Sequence, residues 1–83
     1  MAKQIAWTEQ AKADVRAIDR KTALRILHSL ARFAAHGEGD VARLHGIEPP
    51  EYRLRAGDYR LRFQDDGESI VILRVHHRRE AYR

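Results

Sequence analysis

The chain has 83 residues, a formal net charge of +4 and no cysteine. A chain of this length makes one domain, here taken as 1–83, and buries only about 60% of the surface it exposes when unfolded, so its core is small and its stability marginal. Without cysteine there is neither a disulfide framework nor a thiolate metal site, and no apolar run reaches the about 20 residues of a membrane span.

The opening segment, Met1 to Trp7, is too short and polar for a signal peptide, so a soluble cytoplasmic protein is expected. Lys3 to Trp7 reads as a short strand with Ile5 and Trp7 on one face. Thr8 can cap a helix carrying Ala11, Val15 and Ile18 as its apolar stripe and ending near Ile18. Asp19 can cap a second helix from about Arg20 to Ala35, whose core positions are Ala23, Ile26, Leu27, Leu30, Phe33 and Ala34. Gly37 suits the left-handed residue that closes it. Glu38 to Pro50 reads as a connector, with Leu44 under the sheet edge and Pro49-Pro50 favouring an extended approach to the next strand.

Tyr52 to Phe63 is the most informative stretch. It alternates apolar residues with arginine on both sides of Gly57-Asp58, an accepted hairpin loop. Pairing across that loop sets Arg55 against Arg60, Leu54 against Leu61, Arg53 against Arg62 and Tyr52 against Phe63. A slip of one residue would turn the apolar set to the wrong face, so the register is self-consistent. It also opposes like charges, each such pair destabilising by a few tenths to about 1 kcal/mol. An ordinary solvated face would show the same alternation, but the opposed guanidiniums point to an anionic ligand.

Asp65 to Glu68 forms the second turn and Ser69 to His77 the last strand. A two-residue loop would send Ile70, Ile72 and Arg74 to the core; a three-residue loop would send Val71, Leu73 and Val75 there. The second is preferred because it keeps Arg74 out of the core, and it puts Arg74 and His76 on the arginine face beside Ile70 and Ile72. The order predicts an α+β domain, with an N-terminal strand and two helices packed on an antiparallel three-stranded meander.

Basic residues after Lys21 are arginines apart from the histidines, and arginine's planar fork binds two phosphate oxygens at once. An arginine-rich coding bias accounts for the choice of base but not for its placement on one face. His76 and His77 are candidates for proton transfer near neutral pH, or ordinary packing histidines. Tyr82 can stack on an unpaired base or anchor the chain end. His28, His36, His45, His76 and His77 lack ligand spacing, so neither a metal nor a cofactor is expected.

Two segments in combination, Tyr52 to Phe63 and Val71-Ile72-Leu73-Arg74-Val75-His76-His77-Arg78-Arg79-Glu80-Ala81-Tyr82, resemble the RelE/ParE superfamily of bacterial toxins, on its RelE-like branch. The segment Val41 to Gly46 and the two helices match as well, so the resemblance covers nearly the whole chain. It implies a RelE-like fold, and a toxin neutralised by an acidic antitoxin that wraps the helices and covers the arginine face. Contact with operator DNA would come only through that complex. RelE-type members cut messenger RNA in the ribosomal A site without a metal. The 2′-hydroxyl attacks the adjacent phosphate, leaving a 2′,3′-cyclic phosphate and a free 5′-hydroxyl.

Carried over residue by residue, the resemblance implies that Arg60, Arg78 and Tyr82 are catalytic and that Arg53 and Arg55 bind RNA phosphates. Arg62 and Arg79 join the phosphate-binding set by position alone. The best-known RelE members carry lysines where Arg53 and Arg55 stand, and arginine is a poor general base. Either His76 or His77 moves the proton, or charge stabilisation dominates. Two other readings stay open: a ParE-like inhibitor of DNA gyrase acting by binding, and a catalytically degenerate toxin acting only within an antitoxin–operator complex.

Overall fold

The structure is a computed structural model that describes residues 3–80. Strand β1 (Gln4–Trp7) runs into helix α1 (Glu9–Arg16), and Thr8 caps that helix by accepting a hydrogen bond from the Ala11 N–H at 3.1 Å. Asp19 does the same for α2 (Arg20–His36) through the Thr22 N–H at 3.0 Å. Gly37, at φ 71°, ends α2 in the left-handed region, where a Cβ would be strained. Strands β2 (Asp40–Arg43), β3 (Tyr52–Ala56), β4 (Tyr59–Asp65) and β5 (Ser69–His77) follow.

The strands form one five-stranded sheet in the order β1-β5-β4-β3-β2. The expected meander is its centre, and the hairpin register is the one predicted, from Ala56 opposite Tyr59 to Tyr52 opposite Phe63. Residues 38–50, expected to be a connector, contain β2, which pairs antiparallel with β3 at the sheet edge because β3 offers it a free edge. Strand β1 joins the opposite edge, parallel to β5.

Both helices cover one face of the sheet. Ala11, Ile26, Leu30 and Ala34 from the helices meet Leu54, Ala56, Leu61, Phe63, Ile70, Ile72 and Val75 from the strands, and Phe33 packs against Phe63 with ring centroids 5.3 Å apart. Leu27 departs from expectation. It is 37% exposed and sits beside a half-exposed Leu24, because α2 turns its Ile26–Leu30–Ala34 line and Phe33 toward the sheet and Leu27 away from it.

The last strand corrects the preferred loop and shows why neither simple reading suffices. Phe63 faces Ile72 while Arg62 faces Arg74, so Leu73 is the extra residue of a β-bulge. Ile70 and Ile72, expected on the arginine face, are fully buried in the core; Val71 and Leu73, expected in the core, are only half-buried. The bulge then shifts the phase of the alternation. Val75 points inward and Arg74 outward, as expected.

Candidate functional site

The sheet face opposite the helices carries the arginines in two rows. One row runs Arg55, Arg60, His76 across β3, β4 and β5; the next runs Arg53, Arg62, Arg74. Period-two alternation on β3 and β4, with a loop that preserves register, dictates this placement. Strand β5 lies alongside and sets Arg74 and His76 on the same face, as expected. Three cross-strand pairs therefore oppose like charges: Arg53 with Arg62, Arg55 with Arg60, and Arg62 with Arg74.

Only part of this repulsion is offset within the fold. Glu51 pairs with the Arg62 guanidinium, and Asp14 accepts from Arg74 Nε at 2.9 Å. Among the described residues Arg55 Nε reaches only the Gly57 carbonyl, at 3.4 Å. Arg53 has no carboxylate partner among the described residues. The Nε atoms of Arg53 and Arg62 are buried without an acceptor among the described residues. Such buried donors are costly unless something accepts from them.

His76 is half-buried opposite Arg60. Burial holds its pKa below the usual 6.5, and the charges of Arg74 and Arg62 act in the same direction, against a smaller opposing pull from Asp14 and Glu80. Its imidazole is neutral at pH 7, in the state that can accept a proton. His77, an equal candidate from sequence, turns to the helix side. It packs edge-to-face on Tyr59 at 5.2 Å and lines a cleft of 510 Å³ with Thr22, Arg25, Ile26 and Ser29. Its Nδ1 accepts from the Arg79 N–H at 3.2 Å. Strand alternation separates the two histidines, and only His76 shares the face of Arg60.

Arg78 follows β5 at the hairpin-loop end of the sheet. Its N–H donates to the Asp58 carbonyl at 2.7 Å, and its guanidinium lies 3.8 Å from the Asp58 carboxylate, both side chains being exposed. Arg79 is exposed in the turn that follows. Tyr82 lies outside the described residues. Among the described residues no cluster of histidine and acidic side chains could hold a metal ion.

Arg74 takes the open face expected of it, whereas Asp14 and Glu51 carry no mark in the sequence as neighbours of the arginines there. Glu51 immediately precedes β3, yet nothing in the alternation marks it as the partner of Arg62. Asp14 lies 60 residues before Arg74 and meets it only because α1 lies against β5.

Residues 5–82 match the family described as ParE toxin of type II toxin-antitoxin system, parDE. No curated protein matches the chain. Among solved structures it is similar to the archaeal RelE–RelB complex from Pyrococcus horikoshii OT3, at 22% identity and TM-score 0.74, covering 94% of this chain and 97% of that one. It is similar to the RelB–RelE antitoxin-toxin complex from Methanococcus jannaschii at 21% identity and TM-score 0.76, covering 93% and 94%. The YoeB dimer from Staphylococcus aureus matches at 21% identity and TM-score 0.74, covering 93% and 98%. At these identities the structural likeness bears on the fold alone.

Proposed function

The chain belongs to the ParE toxin family of type II toxin–antitoxin systems, within the RelE/ParE superfamily, and on that premise we propose that it is an endoribonuclease that cuts messenger RNA on the ribosome. The observation that carries this reading is the face on which a neutral His76 stands opposite Arg60, beside the opposed pairs Arg53–Arg62 and Arg55–Arg60. In-line attack of a ribose 2′-hydroxyl on the adjacent phosphorus forms the 2′-O–P bond and breaks the P–O5′ bond. It needs a proton acceptor at the 2′-oxygen and fixed positive charge at the phosphorane. His76 takes the proton, Arg60 and Arg78 hold the equatorial oxygens, and the departing 5′-oxygen is protonated by solvent. Arg53, Arg55, Arg62 and Arg79 bind flanking backbone, and Tyr82 stacks on a base.

The RelE chains of similar fold are held in complexes with RelB, and a cognate antitoxin is the partner proposed for this chain. Its landing place is the helical side. Leu24 and Leu27 are exposed there, and a shallow groove of 290 Å³ runs between Trp7, Val15 and Leu27 with Lys12 and Arg16 at its rim. Apolar residues flanked by cations suit an acidic amphipathic segment.

A second reading, a gyrase inhibitor acting by binding, is favoured by the match to the ParE family description. One induction experiment separates them. Mapping RNA 5′ ends should show new 5′-hydroxyl ends within translated messages, lost in Arg60→Ala, which stays folded. Gyrase-trapped DNA breaks without new RNA ends would overturn the nuclease reading.

A further inference from the structure

Two carboxylates lie beside facing arginines. Glu51 holds Arg62 and Asp14 holds Arg74, and these two arginines are cross-strand partners on β4 and β5. The Asp14 contact is the better defined. Its Oδ2 accepts both Arg74 Nε and the Val75 N–H, each at 2.9 Å, and its Oδ1 accepts from Gln10 at 3.0 Å. The Asp14 side chain is only 12% exposed, whereas that of Arg74 remains 41% exposed. The carboxylate therefore engages one nitrogen of the guanidinium. The terminal amino groups of Arg74 meet no acceptor among the described residues, and the side chain as a whole remains partly exposed.

This arrangement is not what a purely structural staple requires. A staple between α1 and β5 would use the bidentate fork, which is the stronger geometry. Here Asp14 fixes the stem and leaves the two-nitrogen end, the part that matches two oxygens of a phosphate. On the other side of the pair, Arg62 is held by Glu51 while its buried Nε lacks an acceptor among the described residues. Immobilising both guanidiniums beforehand removes the rotamer entropy that a free arginine loses on binding.

We propose that Arg62 and Arg74, oriented by Glu51 and Asp14, form a subsite for one backbone phosphate of single-stranded RNA, one row away from the Arg60–His76 pair. Arg74 is then a substrate contact, and Asp14 is its positioning residue. The subsite takes a phosphodiester next to the scissile one and sets the path of the strand across the sheet. It rests on the nuclease reading for its role but not for its existence.

The test is binding of a short single-stranded 2′-O-methyl oligoribonucleotide, which cannot be cleaved by 2′-oxygen attack, followed by fluorescence anisotropy over a range of salt concentrations. Arg74→Ala should weaken binding about tenfold, the size of one charge-assisted contact, and make the salt slope shallower by about 0.7, one phosphate contact on a single strand. Asp14→Asn keeps an oxygen for the Val75 N–H but loses the charge that holds Arg74. It should weaken binding by a smaller factor, and combining it with Arg74→Ala should add nothing further.

Thermal melting of each variant separates a folding effect from a binding effect. A lower melting temperature with unchanged affinity and salt slope in Arg74→Ala would reduce the contact to a staple and overturn the subsite, as would a wild-type chain that does not bind the oligonucleotide. Failure of the nuclease reading has a different signature: absence of cuts on programmed ribosomes from a wild-type chain that still binds with the Arg74-dependent slope.

Discussion

His76 and His77 are neighbours in sequence with different chemistry. His76 lies among cations on the open face, while His77 packs on Tyr59 behind the sheet. Because burial and the neighbouring arginines lower the His76 pKa from 6.5, its base form persists into mildly acidic solution. Cleavage by this route should hold steady through neutral pH and fall only as the pH drops below 6.5. His76→Ala should reduce the cleavage rate by about 10²- to 10⁴-fold, the usual contribution of a positioned base, and remove that acid limb. His77→Ala should retain the limb. A pH–rate profile of the three proteins on programmed ribosomes decides it; an unchanged limb in His76→Ala would move the base elsewhere.

At the scale of elements, the Leu73 bulge and helix α1 act together. Strand β1 stops pairing at Ile72, and beyond it the edge of β5 is served by α1: Thr8 donates through Oγ1 to the Ile72 carbonyl at 2.9 Å, and Asp14 takes the Val75 N–H. Backbone groups that a longer β1 would satisfy are met by the helix. The bulge reverses which side chains face inward, so one strand delivers Ile70, Ile72 and Val75 to the core and Arg74 and His76 to the open face. Gly39 sets the other edge. At φ 149° it precedes β2, and a Cβ there would lie 2.8 Å from the buried Leu54 Cδ1. Gly39→Ala should destabilise the domain by about 1 to 3 kcal/mol, the range for overpacking a core. In a domain of this size that appears as a drop in melting temperature of several degrees.

For the whole molecule, acid is the expected weakness. A hydrogen bond from Lys3 at 2.6 Å lowers the pKa of Asp65, outweighing burial, with support from the Gly67 N–H. At Asp14 burial pushes the pKa up, but the bonds from Arg74, Val75 and Gln10 together outweigh it, and the net shift is downward. A carboxyl whose pKa is lower folded than unfolded adds stability above its unfolded value and loses it as the pH falls through the folded one. Stability should therefore begin to fall gently below pH 6.5, where the unfolded chain protonates His76 before the folded one does, and more steeply from about pH 4 downward, the ordinary carboxylate range. Asp65→Asn should be less stable at pH 7 and show a shallower decline. Melting curves across pH check both; a parallel decline in the variant would exclude the Lys3–Asp65 pair as a contributor. Antitoxin binding would add stability to such a small domain by mass action.

Much of this domain is legible in its residues. Thr8 and Asp19 announce helix starts, Gly37 a helix end, and the alternation around Gly57-Asp58 sets the hairpin register and puts Arg53, Arg55, Arg60 and Arg62 on one face. Those features depend on contacts a few residues apart, or on a period-two pattern that tolerates no slip. Strand β2 was hidden because four residues with two small apolar side chains make no pattern until β3 offers its edge. The phase of β5 was hidden because a single extra residue, Leu73, satisfies two incompatible alternations in turn. The clamps on the arginine face were hidden for a different reason. Asp14 and Glu51 look like ordinary surface carboxylates, and only the packing of α1 against β5 and the path into β3 bring them to Arg74 and Arg62. Local chemistry determined which residues could bind an anion; tertiary packing decided which of them are held still to do so.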